Sequence, residues 1–237
     1  MTSRSYTVAL AFTLLGVAIT AIGHAIGLFV APAEAMMGDV GRILYVHVPT
    51  AWNAMLVFLF GFGAAVASLW TGRRRWDAWT TAAVEVGTVL TLLLLVQGSL
   101  WAKPTWGVYW TWDPRLTTSA VLGAAFGVVL LLRRLIDQPA RRQVATAVAT
   151  IVAFVDVPIV YMSVRWWNSL HQTQSTPKTI DKMMAVPLWV SAVGILVLSI
   201  GLVIARWRTE TARLAAEERA PDLPDAPAPL HLDQESR

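Results

Sequence analysis

The 237 residues contain no cysteine. That excludes disulfides, thiolate metal sites and any cofactor joined to the chain through a thioether bond. Charge is also scarce: 14% of residues are Asp, Glu, Lys or Arg, against about 25% in an ordinary soluble domain. No G-x-x-x-x-G-K-[ST] run occurs, so the chain has no phosphate-cradling ATPase loop of its own. The net charge of +4 comes from basic residues clustered in loops rather than along one face, which argues against a nucleic-acid partner. What remains is apolar, with 56% hydrophobic residues and 12 tryptophans. This is the composition of an integral membrane protein.

A spanning helix needs about 20 mostly apolar residues. Six stretches qualify, 6–30, 46–69, 78–100, 116–132, 144–162 and 187–205, and they predict an all-α integral membrane protein with six transmembrane helices. Arg4, the apolar run after it and Ala33-Glu34-Ala35 imitate a signal peptide. The run is longer than the roughly 7–15 residues of such a segment, so an uncleaved first helix is expected. Residues 206–237 read as a tail that begins with a short helical extension and becomes disordered in its Pro/Ala-rich part, 220–230. No internal repeat is evident, which weakens an inverted-repeat transporter reading.

Basic residues favour the cytoplasmic side of short loops. Arg4, Arg73 to Arg75, Arg133, Arg134, Arg141, Arg142, Arg206 and Arg208 all fall on one side. Arg42, Lys103, Arg115, Arg165, Lys178 and Lys182 are spread thinly over the other. Both termini are therefore expected in the cytoplasm. The tryptophan-rich loop, 101–117, is expected on the periplasmic or exterior face.

Three outer loops carry most of the unusual chemistry. One leads into Tyr45-Val46-His47-Val48-Pro49, the second holds Trp106-Gly107-Val108-Tyr109-Trp110-Thr111-Trp112-Asp113-Pro114-Arg115, and the third contains Trp166-Trp167-Asn168-Ser169-Leu170-His171-Gln172. The orientation rule puts His47 and His171 at one membrane depth. Trp167 and His171 share a face if the fifth helix continues past the bilayer. Two imidazoles beside a bank of indoles suit a flat metal macrocycle, because haem iron takes axial histidine readily and its faces need apolar cover. Each histidine taken alone also reads as an interfacial donor, and interfacial tryptophans as belt anchors. His24, inside the first helix, and His231, in the tail, read as structural or solvated.

Asp113 before Pro114 fits a helix cap followed by a first-turn proline. Arg115, Arg165 and Lys103 are candidates for pairing with ligand carboxylates, arginine offering a bidentate fork. Glu85 and Asp156 lie inside spans and call for partners. Pro158 is expected to kink the fifth helix. Gln97 is expected near the tryptophan loop.

The run 106–117 resembles the tryptophan-rich "WWD" signature of the haem-handling membrane proteins of cytochrome c biogenesis. The segments 45–49 and 166–172 look like the flanking histidine segments of the CcmC (haem exporter protein C) branch, and the match extends from about residue 40 to 205. The resemblance implies a non-enzymatic membrane platform in the bacterial inner membrane that presents non-covalent, b-type haem on its periplasmic face. It implies His47 and His171 as axial iron ligands. Trp106, Gly107, Trp110, Trp112, Asp113 and Arg115 become the platform, flanked by Trp166 and Trp167. The implied partners are a periplasmic haem chaperone, the ATPase and membrane subunits of an ABC transporter, a small one-helix membrane protein and the surrounding lipid. Tyr109, Pro114 and Asp156 depart from the pattern, where another aromatic or small polar residue, a small residue and an uncharged amide are expected.

Two other readings stand beside it. Related cytochrome c haem lyases share the tryptophan signature but are larger and carry a second histidine pair within the membrane, which His24 and His231 cannot supply. A general small-molecule exporter would use the tryptophans only as anchors and would not depend on His47.

Overall fold

The computed structural model describes residues 4–172 and 180–219. Helix α1, Arg4–Ala25, continues into a wider π turn, Ile26–Val30. A 3-10 turn, Asp39–Ile43, leads into α2, Leu44–Thr71, which is followed by α3, Arg74–Trp106, and α4, Pro114–Leu135. Helices α5, Pro139–Phe154, and α6, Asp156–Trp166, form one interrupted rod, and α7 is Lys182–Arg219. The described residues contain six helical segments long and apolar enough to cross a membrane and no strand. The all-α, six-span expectation holds, and the chain is a multi-pass membrane protein.

Three features differ from those expected. The tryptophan loop spans only 107–113, because α3 runs past its apolar stretch and through Pro104 to Trp106. Hydropathy drops at Trp101, but the backbone ladder does not depend on hydropathy. The Thr105 hydroxyl donates to the Trp101 carbonyl at 2.8 Å, and Gly107 closes the helix at φ +80° with its N–H on the Lys103 carbonyl. That left-handed conformation is costly for any residue with a Cβ.

The second difference is that α6 stops at Trp166, so Trp167 and His171 share no helical face. The third concerns the expected kink, which is a full break at Val155. The Pro158 ring displaces the carbonyl four residues earlier, that of Phe154, and Pro158 has no N–H to give it. Helix α7 continues beyond its apolar stretch to Arg219, because its charged last turns are paired. Arg206 forks onto Glu85 at 2.6 and 2.9 Å, and Arg213 meets Glu217 one turn on at 3.3 Å. The stretch expected to be disordered, 220–230, lies outside the described residues.

Helices α2, α3 and α7 share one core, with Ala54, Val57, Ala83 and Ile195 at its centre. A second core joins α2 and α3 to α4 and the α5–α6 rod, where Phe58 and Phe126 stack at 3.7 Å. Helix α1 packs chiefly along α7. Methyl groups on Gly23, Gly194 and Gly201 would reach within 2.5–2.6 Å of backbone nitrogens across that seam, and one on Gly16 would overlap Leu198. Sequence alternation puts the arginine-rich loops at one end of the bundle. There Arg133 of α4 bridges Asp77 of α3 and Glu210 of α7. The histidine loops meet at the other end.

Candidate functional site

His47 stands in the first turn of α2 and is 8% exposed. His171 lies five residues beyond the end of α6, in chain with no regular structure. Their ring centroids are 6.4 Å apart and their planes differ by 33°. An imidazole nitrogen binds a transition metal at about 2 Å, and the ring centre lies about 1 Å behind it, so two ligands of one metal place their centroids about 6 Å apart. The observed spacing therefore fits a single metal between the rings. The described residues hold no cluster of three or more His, Asp or Glu side chains able to hold a metal ion. A bare cation would be under-coordinated here, whereas a metal that brings equatorial ligands of its own needs only two.

Each ring has close neighbours that limit its movement. The buried His47 Nδ1 has no hydrogen-bond partner, the Trp101 ring meets the imidazole edge-on at 5.5 Å, and Gly98 lies close behind. A Cβ on Gly98 would sit 3.2 Å from His47 Cε1. His171 Nδ1 faces the Gln172 carbonyl at 2.9 Å. Burial, helped by the nearby Arg115 cation, holds the His171 imidazole below its ordinary value against the opposing pull of Gln172 and Asp113. It is thus neutral at neutral pH, the form that ligates metals.

Below and beside the pair opens a cavity of about 370 Å³ between α2, α3, α4 and α6. This falls in the range of small-molecule sites, about 300–1,000 Å³. Its wall runs along α2 from His47 to Met55, about 12 Å at 1.5 Å per residue. Trp52, Trp101, Trp106 and Trp110 give it aromatic faces, and Met36 and Met37 stand at its rim. Among the described residues lining it, Arg115 is the only charged side chain. Its guanidinium donates to the Val160 and Tyr161 carbonyls at 3.0 and 3.3 Å. The space suits a largely apolar ligand with an anionic group.

The structure thus brings together His47, His171, Trp106, Trp110 and Arg115 of the sequence candidates. The others lie outside the cavity wall. Trp112 is 82% exposed, Trp166 and Trp167 are exposed and stand edge-to-face, and Gly107 ends α3. Asp113 caps α4 through Arg115 N–H at 2.8 Å, as its place before Pro114 predicts, and it accepts two further bonds from the His171 loop. Lys103 reaches the Gly107 carbonyl and the Tyr109 ring, and Arg165 lies over Tyr161. Within the spans, Glu85 has its partner in Arg206, while Asp156 Oδ2 and Gln97 Oε1 are buried without one.

The family model described as CcmC, heme exporter protein C, matches residues 2–221. The chain belongs to the heme exporter protein C family. Among its relatives, heme exporter protein C of Bradyrhizobium diazoefficiens is 37% identical over 203 residues, covering 83% of this chain and 77% of that protein. The protein of the same name in Escherichia coli K12 is 33% identical over 210 residues, or 88% and 84% of the two chains. A putative cytochrome c biosynthesis ccmC-like mitochondrial protein of Marchantia polymorpha is 33% identical over 174 residues, or 72% and 74%.

In this member of the heme exporter protein C family, the wall residues missed by sequence reasoning are Trp101, Gly98, Trp52, Met36 and Met37. Trp101 and Gly98 had a local signal, since a helix extended to Trp106 places both on the last turns of α3. The methionine turn had none. It is set by Glu34, whose carboxylate accepts the Met36 and Met37 N–H groups at 2.8 and 2.5 Å.

Proposed function

We propose that this protein binds haem at the exterior face of the membrane and passes it to a periplasmic haem chaperone for cytochrome c maturation. His47 and His171 are the axial iron ligands. The observation that carries this reading is the pair of imidazoles 6.4 Å apart at the mouth of an aromatic cavity with Arg115 in its wall. The names of the relatives support it, and the absence of cysteine rules out a thioether bond to the cargo, in keeping with non-covalent, b-type haem. Trp106 and Trp110 cover the macrocycle and Arg115 meets a propionate. The exposed Trp112, Trp166 and Trp167 extend the platform around the mouth.

The basic loops support an orientation with the opposite end, and both termini, on the cytoplasmic side, and the membrane is the bacterial inner membrane. The acceptor is a periplasmic haem chaperone, and the protein works with the ATPase and membrane subunits of an ABC transporter and a small one-helix membrane protein. It makes no bond in its cargo. It binds, orients and releases.

The test is a visible absorption spectrum of the detergent-purified chain supplied with haem, beside His47→Ala and His171→Ala. Wild type is expected to show the Soret band of six-coordinate, low-spin haem, and each variant a weakened and shifted band. A folded wild type without a Soret band, or two variants with unchanged bands, would overturn the assignment.

Gly98 gives a second, milder test. Gly98→Ala sets a methyl 3.2 Å from His47 Cε1, tighter than a relaxed contact, and pushes the ring by a few tenths of an ångström. The expected result is a shorter lifetime of bound haem with an unchanged thermal midpoint, read by haem transfer to an excess of apomyoglobin.

A further inference from the structure

The two histidines rest on different scaffolds. His47 is part of a helix and has the Trp101 ring and Gly98 against it. His171 sits in an irregular loop, and the last helical bond before it is from Trp167 N–H to the Ser163 carbonyl. Among the described residues, the hydrogen bonds that tie residues 168–171 to another element all end on one side chain. Asp113 Oδ1 accepts from the Ser169 hydroxyl at 2.9 Å, and Oδ2 accepts from Leu170 N–H at 2.7 Å. Ser169 Oγ in turn accepts from His171 N–H at 3.0 Å.

Asp113 is 6% exposed, and its Oδ1 also caps α4 through Arg115 N–H, two residues from the guanidinium that lines the cavity. The carboxylate itself does not line the cavity. Asp113 instead lines a separate, open groove with Trp112, Asn168 and Leu170.

We propose that Asp113 is a positioning residue, which holds the His171 loop so that its imidazole stays within metal-bonding reach of His47. The inference rests on the haem-ligand reading above and assigns Asp113 a role through His171 rather than on the cargo. The chemistry requires a carboxylate. Three donors converge on it, and only an ionised acid offers two acceptor oxygens with no donor of its own. An asparagine that keeps its oxygen on the α4 cap, for which it is as good as aspartate, turns its amide nitrogen toward Leu170 N–H and loses that arm of the grip. Ser169→Ala cuts the relay one step later and leaves the cap untouched.

The experiment compares full-length wild type, Asp113→Asn and Ser169→Ala, each loaded with haem in detergent. Absorption and electron paramagnetic resonance spectra are recorded with and without added imidazole. The expected result for both variants is haem still held through His47 but shifted toward a five-coordinate, high-spin spectrum. Haem dissociation should be faster by about 10–100-fold, the usual effect of losing a group that orients a metal ligand. Free imidazole should restore the low-spin spectrum by filling the vacated position, and thermal midpoints equal to wild type separate this from a generally loosened fold. Low-spin spectra and dissociation rates equal to wild type in both variants would overturn the proposal and leave the two-histidine reading intact. A wild type whose haem spectrum is indifferent to His47 and His171 would instead sink the reading on which it rests.

Discussion

Arg133→Met is expected to destabilise the bundle by about 3–5 kcal/mol, the range seen when one partner of a buried ion pair is removed. The Arg133 side chain is 4% exposed. It donates to both Asp77 carboxylate oxygens at 2.7 and 2.9 Å, to Glu210 at 2.6 Å and to the Thr146 hydroxyl at 3.2 Å. One side chain of α4 therefore fastens α3, α5 and α7. Its loss leaves two buried carboxylates facing each other with no cation between them. Arg133→Lys should recover only part of the loss, because an ammonium is a point charge without the planar fork. Adding Asp77→Asn and Glu210→Gln to Arg133→Met should recover most of it by removing the stranded charge. Thermal unfolding in detergent, followed by the fluorescence of the 12 tryptophans, measures all three. A single variant within about 1 kcal/mol of wild type, the scale of an exposed pair, would show that the network is not the fastener.

Gly194→Ala and Gly23→Ala are expected to cost about 3 kcal/mol or more each, at the top of the range for overpacking. The new methyl would lie 2.5 Å from Thr20 N in the first variant and 2.6 Å from Ser191 N in the second. Backbone cannot rotate aside as the tip of a side chain can, so the two helices must separate along their seam. Without water between lipid and helix, close backbone packing is a principal source of helix association, and even a small gap forfeits much of it. Gly63→Ala is the control. Nothing lies within 4 Å of its added Cβ, so it should gain about 0.5–1 kcal/mol from helix propensity alone. Unfolding midpoints that fall for the first two variants and hold or rise for the third confirm the seam. Three equal midpoints would refute it.

The parts of this structure visible in the sequence are those with a local cause. The six apolar runs announce the spans, and Asp113 before Pro114 announces the cap on α4. The alternation of basic loops groups His47 with His171 because topology follows charge, and the structure sets them ring to ring. The helix ends were read less well. Hydropathy marks where lipid stops, and the α3 ladder continues to Trp106. The last turns of α7 are too charged for a span and are kept helical by pairs with Glu85 and Arg133, 121 and 77 positions away. No window of sequence reports such pairs. For the same reason Asp113 reads locally as a cap, while its bonds to Ser169 and Leu170 emerge only when the chain has folded back.

Because α1 finds its principal neighbour in α7, the first helix made must wait for the last. Gly23 leaves the ribosome roughly 170 residues before Gly194, on the order of 10–30 s at ordinary synthesis rates. Throughout that interval the glycine stripe of α1 faces lipid or a borrowed companion. Assembly then finishes in one late step, when the emerging α7 closes the seam with α1 and delivers Glu210 to Arg133. A nascent chain halted before residue 194 would have made both histidines and still lack the helix that completes the bundle.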